Sequence, residues 1–183
     1  MAEKQHVVVV CGYGCHLKDP EGKDTPLKPY LDRVADFLGR TLPCMVIFCG
    51  GHTQRATAPG ESEAWVMMKY VGHEYGQFKA LTYKEDDSYT TYENIKKAAQ
   101  RIRSEKAFFH QTLLTNIRIT IFCEATRAAN VVMLARHFMG NLVESIDDIT
   151  VETASWERAD PFKQAGNLIY NKLAIKYPWL GLA

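Results

Sequence analysis

No run of about 20 apolar residues occurs in this 183-residue chain, so no part of it reads as a helix able to cross a bilayer. The N-terminal MAEKQHVVVVCG has an apolar stretch too short for the core of a signal peptide and no small-residue cleavage site. A soluble, cytoplasmic protein is expected. Charge of one sign is missing as well: 22 Lys and Arg are interleaved with 21 Asp and Glu, for a net charge of +1. Without a one-sided basic stripe, neither nucleic acid nor a membrane surface is an expected partner. Cysteines are few and odd in number, five in all. Three of them, Cys11, Cys49 and Cys123, close apolar runs, where a thiol behaves as a small hydrophobe, so a disulfide framework is not expected. The motifs GxSxG, the P-loop and HExxH are absent. A metal set drawn from Cys11, Cys15, His16, Cys49 and His52 lacks the close C-x-x-C or H-x-x-x-H pair of zinc sites, and no metal is expected.

What is present is enough apolar sequence, 46%, for one buried core and a single domain over residues 1–183. Three short runs, VVVVC at 7–11, MVIFC at 45–49 and ITIFC at 119–123, are β-branched or aromatic throughout and read as buried parallel strands. Phe78, Ala80 and Thr82 alternate with Lys79, Leu81 and Tyr83 as a less buried fourth strand, and Ile149 to Thr153 is a weaker fifth. Between them the period becomes helical. Leu31, Val34, Ala35 and Leu38 mark one helix; Ala64, Met68, Val71 and Tyr75 a second; Ile95, Ala98 and Ile102 a third. Ala128, Val131, Val132, Ala135 and Phe138 mark a fourth, and Pro161 to Lys176 a last one, with proline acceptable in its first turn. This alternation predicts a three-layer α/β/α, Rossmann-like fold: a mainly parallel five-stranded sheet with helices on both faces.

The longest polar links, Gly12 to Pro29 and Gly50 to Gly60, run from strand into helix. Spare chain therefore gathers beyond the carboxyl ends of the strands, where open parallel sheets bind ligands. Residues 18–29, KDPEGKDTPLKP, read as a flap or as a plain solvated loop. At this edge Gly12, Tyr13 and Gly14 permit close backbone approach to a ligand, but GYG lacks the third glycine of a dinucleotide fingerprint. The next link offers Gly50, Gly51, His52 and Arg55, followed by Glu61 and Glu63 at a helix start. In DDSYTTYEN, Thr90 and Glu93 have the spacing of a capping box, while Ser88, Thr91 and Asn94 add polar groups. In the last link Arg127 falls in the first turn of a helix, where a cation is unfavourable unless an anion offsets it. It reads either as an anion reader or as a structural tie to Glu124 or another carboxylate. Cys15 with His16 or His52 has the residue types of a nucleophile and base, but no residue nearby explains a lowered thiol pKa.

These junctions, Gly12 and Gly14, then Gly50, Gly51, Glu63 and Ala64, then Ser88, Thr91, Glu93 and Asn94, then Arg127 and Ala128, follow one order over residues 7–140. They resemble the YdcF/SanA/ElyC-like family of α/β domains of unknown function. Where that family commonly has histidine three residues before the arginine, this chain has Glu124. The resemblance implies a Rossmann-like domain with a polar pocket for an anionic, nucleotide-like small molecule, S-adenosylmethionine among the candidate cofactors. Under that reading Glu63, Glu124 and Arg127 are the catalytic candidates. The ligand-binding candidates are Gly12, Tyr13, Gly14, Gly50, Gly51, His52, Arg55, Ser88, Thr91, Glu93 and Asn94. An enzyme, a transferase or hydrolase, and a non-catalytic sensor using the same pocket both remain open. The apolar end YPWLGLA, residues 177–183, either packs on its own sheet or joins a homodimer.

Overall fold

The computed structural model describes residues 4–54, 59–75, 79–108, 116–154 and 161–177. Strands β1 (Gln5–Cys11), β2 (Met45–Cys49), β3 (Leu81–Glu85), β4 (Ile117–Glu124) and β5 (Ile149–Ala154) alternate with helices α1 (Leu27–Thr41), α2 (Glu63–Tyr75), α3 (Thr91–Phe108), α4 (Ala128–Met139) and α5 (Pro161–Lys176). All the strands pair in parallel, in the order β3-β2-β1-β4-β5, giving the three-layer α/β fold that the alternation predicts. No described helix is long and apolar enough to cross a membrane.

The pleat sorts each strand between two cores. Val7, Val9, Met45, Ile47, Ile119 and Ile121 point to one face, where Ile95, Ala98 and Ile102 of α3, Val131 and Leu134 of α4 and Ala174 of α5 cover them. Val8, Val10, Val46, Phe48 and Phe122 point to the other, under Leu31, Val34 and Leu38 of α1 and Met67 and Val71 of α2. Burial on both faces is why these strands are apolar without alternation. β3, at the sheet edge, is the exception, with Leu81 and Lys84 exposed. The expected start of this strand at Phe78 lies outside the described residues.

The order of strands decides where a site can form. The chain lays β2 and then β3 outward from one side of β1, and α3 then carries it back to place β4 on the other side. The connections above β1 and β4 therefore leave in opposite directions and open a crevice between them, the topological switch point of such sheets. Within the expected flap, Lys18 bridges Asp24, and Asp19 accepts from the Lys23 amide, so the loop closes on itself. Its last residues, Leu27 to Pro29, belong to α1; the proline is tolerated there because first-turn amides need no helical acceptor.

Candidate functional site

The ends of the first three strands are stapled to one another beyond the sheet. Gly12 N–H donates to the Cys49 carbonyl at 2.6 Å, Gly50 N–H to the Glu85 carbonyl at 2.9 Å and Gly51 N–H to the Ser88 carbonyl at 2.7 Å. A Cβ on Gly51 would lie 2.3 Å from the Ser88 carbonyl oxygen, so only glycine allows that approach. The same holds beneath the first turn. A Cβ on Gly12 would meet Glu63 Oε2 at 2.5 Å and one on Gly50 would meet it at 2.7 Å. Glu63 is thus wedged under two glycine turns. Its Oε1 accepts from Gly14 N–H at 2.9 Å and from the Thr53 hydroxyl. Burial pushes its carboxyl above the usual carboxylate range, and the bonds from Thr53 and Gly14 and the nearby Arg127 charge oppose that rise.

Backbone amides of Gly12, Gly14, Gly50 and Gly51 are therefore engaged by protein acceptors. They are not spare donors for an anion. At the start of α2 the first amides are answered too: Glu63 N–H by the Gly51 carbonyl and Ala64 N–H by the Gly50 carbonyl. Close approach of turns, rather than an open nest of donors, is what these glycines provide.

Above β4 the chain makes a three-ten turn, Ala125 to Arg127, before α4 begins. Glu124 organises that turn. Its carboxylate accepts from Thr126 N–H at 2.8 Å and from the Thr126 hydroxyl, and it is only 2% exposed. The structural tie between Glu124 and Arg127 is not formed. The Arg127 guanidinium lies over the Tyr13 ring, 4.1 Å from its centroid, and its Nη1 donates to the Gly12 carbonyl at 3.4 Å. Among the described residues no carboxylate pairs with it.

A cavity of about 350 Å³ opens at this switch point. The volume falls in the lower part of the range of small-molecule sites. Six of the residues expected from sequence line it: Gly12, Glu63, Ser88, Thr91, Asn94 and Arg127. Ser88 donates its hydroxyl to the Glu85 carboxylate, which the Asp87 amide and Lys97 also engage. The other expected residues fall elsewhere. Tyr13 backs Arg127 and, with Gly14, borders a neighbouring hollow of about 330 Å³ on the flap side. Gly50 and Gly51 form the layer beneath; half-buried His52 and buried Glu124 do not reach the cavity wall. Glu93 closes the capping box, accepting from the Tyr89 and Thr90 amides at 2.6 and 3.1 Å while Thr90 Oγ1 accepts from Glu93 N–H at 3.1 Å. Arg55 lies outside the described residues, as do residues 178–183.

The structure adds residues that the sequence reading passed over: Thr53, Asn130 on α4, and Asn167, Tyr170 and Asn171 on α5. Asn171 Nδ2 donates to Asn130 Oδ1 at 3.0 Å, while Asn130 Nδ2 and Asn94 Oδ1 are buried without a partner among the described residues. Each such orphan costs about 1–3 kcal/mol unless something completes it. Asn130 sits four residues before Leu134 on the buried stripe of α4, a phase that the structure reveals.

The thiols are poor nucleophiles. Burial raises Cys11 to about 12, and burial with the nearby Glu63 and Glu61 charges raises Cys15 to about 11. Among the described residues no three His, Cys, Asp or Glu side chains gather to hold a metal ion. No protein-family model and no curated protein sequence matches this chain.

Proposed function

We propose that this protein binds a small anionic, nucleotide-like molecule in the cavity between β1 and β4 and acts on it as an enzyme of the YdcF/SanA/ElyC-like type. One observation carries the reading: a half-buried arginine on the cavity wall, over the Tyr13 ring at 4.1 Å from its centroid, with no carboxylate pairing with it among the described residues. A guanidinium so placed keeps its planar donor fork for a carboxylate or phosphate. Glu63 supports the catalytic part, because it lies on the same wall and burial moves its pKa upward, the direction in which acid–base carboxylates are tuned. The order of the junction motifs supports the family.

S-adenosylmethionine, which the resemblance suggests, suits this donor set in one respect, since Arg127 would hold its carboxylate; when bound it would supply a methyl group for transfer. A sensor without turnover is the second reading. Its support is that Glu63 Oε1 already accepts two hydrogen bonds, from Gly14 and Thr53, as a purely structural carboxylate would.

Thermal melting with a panel of nucleotides, S-adenosylmethionine and sugar phosphates tests the binding. A true ligand at about 100 times its dissociation constant stabilises by about 2.7 kcal/mol, a rise of about 5–10 °C for a chain of this size. Arg127→Ala abolishes the rise while the unliganded protein melts near the wild-type temperature. No shift with any anion would sink the proposal. Recovery of the bound ligand unchanged after long incubation, with wild type and Glu63→Gln alike, decides for the sensor.

A further inference from the structure

Resting on that anion-binding reading, we propose that the cavity's occupant carries one anionic group joined to an uncharged planar head of the carboxamide or aminopurine kind, and that Asn94, Asn130 and Asn171 read the head. The charge on the wall sets the first half. Among the described lining residues Arg127 and Glu63 are the charged ones, a single cation and a single carboxylate. Arg127 answers one anionic group, and a second would face Glu63 with no further cation among those residues to offset it.

The amides set the second half. They come from three helices, α3, α4 and α5, and their residues are 4%, 3% and 5% exposed. The hydrophobic core has no use for them. On α4 the buried stripe is otherwise apolar, Val131, Leu134, Ala135 and Met139, and leucine at 130 would continue it. Asn171 anchors Asn130 through the bond at 3.0 Å, which leaves one amide donor, on Asn130, and one amide acceptor, on Asn94, to be completed. A carboxamide or aminopurine edge offers a donor and an acceptor side by side in one plane and answers both. The partly exposed rings of Tyr89 and Tyr170, also on this wall, supply faces for a planar group. A sugar hydroxyl would meet the amides but not the rings.

Calorimetric titration of wild type and Asn94→Leu with adenosine monophosphate, adenosine triphosphate, ribose 5-phosphate and inorganic phosphate tests this. Wild type binds the monophosphate about tenfold or more tighter than ribose 5-phosphate, and the triphosphate no tighter than the monophosphate. Asn94→Leu loses about tenfold or more for the monophosphate while its affinity for inorganic phosphate changes by less than about twofold. Should Asn94→Leu fail to fold, Asn130→Leu carries the same expectation. Equal affinities for the monophosphate and ribose 5-phosphate, a triphosphate bound about tenfold tighter, or an unimpaired Asn94→Leu would each overturn the inference and leave anion binding intact. If none of the four phosphates binds and S-adenosylmethionine gives no melting shift either, the anion reading falls and this inference with it.

Discussion

His6, at the opposite end of the sheet from the cavity, shows how burial shapes a residue's chemistry. It packs edge-on against Phe37 at 5.6 Å, its Nε2 meets Thr120 Oγ1 at 2.9 Å, and its Nδ1 is buried without a partner among the described residues. Burial first, and the Arg118 charge second, lower its pKa to about 4. The folded protein thus holds the neutral imidazole, while the unfolded chain takes up a proton below about 6.5. Stability contributed by the neutral ring is complete above that value and is lost as pH falls toward 4, at up to about 1.4 kcal/mol per pH unit. Glu63, with its raised pKa, works in the opposite sense and gains stability as pH falls. The difference between wild type and His6→Gln isolates the histidine: denaturant titrations from pH 7 to 4.5 should show the wild type losing stability relative to the variant. Parallel profiles would remove the effect. At Arg127, the sequence raised two fates for the cation, and what it could not show was that Glu124 would turn to Thr126 instead. That choice depends on the backbone path of the three-ten turn, which puts the Thr126 amide and hydroxyl nearer to the carboxylate than the guanidinium is.

Among the elements, α1 was the most legible. Leu31, Val34, Ala35 and Leu38 recur at helical spacing and all four are buried. α4 was read about one position out of phase: Leu134 and Met139 take the buried places, with Val132 and Phe138 only partly covered and Asn130 among the buried residues. A mixed apolar face such as AANVVMLARHFM supports more than one phase, and packing against α3 and β5 selects one. Glycines divide along the same line. Gly51 stands where a Cβ would strike the Ser88 carbonyl, whereas Gly39, exposed within α1, has nothing within 4 Å. Gly51→Ala should destabilise by about 1–3 kcal/mol, because backbone rather than a movable side chain must give way. Gly39→Ala should stabilise by about 0.5–1 kcal/mol through helix propensity. Chemical denaturation of the two variants checks both signs.

Over the whole molecule, the inner position of β1, β2 and β4 should govern where the protein opens. These strands are buried on both faces and flanked on both sides, while β3 is an edge with exposed residues. Native-state hydrogen exchange should find the slowest amides in β1, β2 and β4 and markedly faster exchange in β3, which loses its pairing by local opening. Uniform protection across all five strands would contradict this.

The sequence by itself determined the α/β class, the strands buried on both faces, the edge at which polar chain collects and the capping box of α3, because each rests on local periodicity or on residues a few positions apart. The tertiary structure alone decided the strand order, and with it the crevice between β1 and β4. It also decided that Glu63 lies under two glycine turns, that Arg127 rests on Tyr13, and that amides of α3, α4 and α5 share one wall. Those outcomes depend on contacts between distant segments, and their geometry comes from packing helices onto both faces of a twisted sheet, which no local pattern encodes.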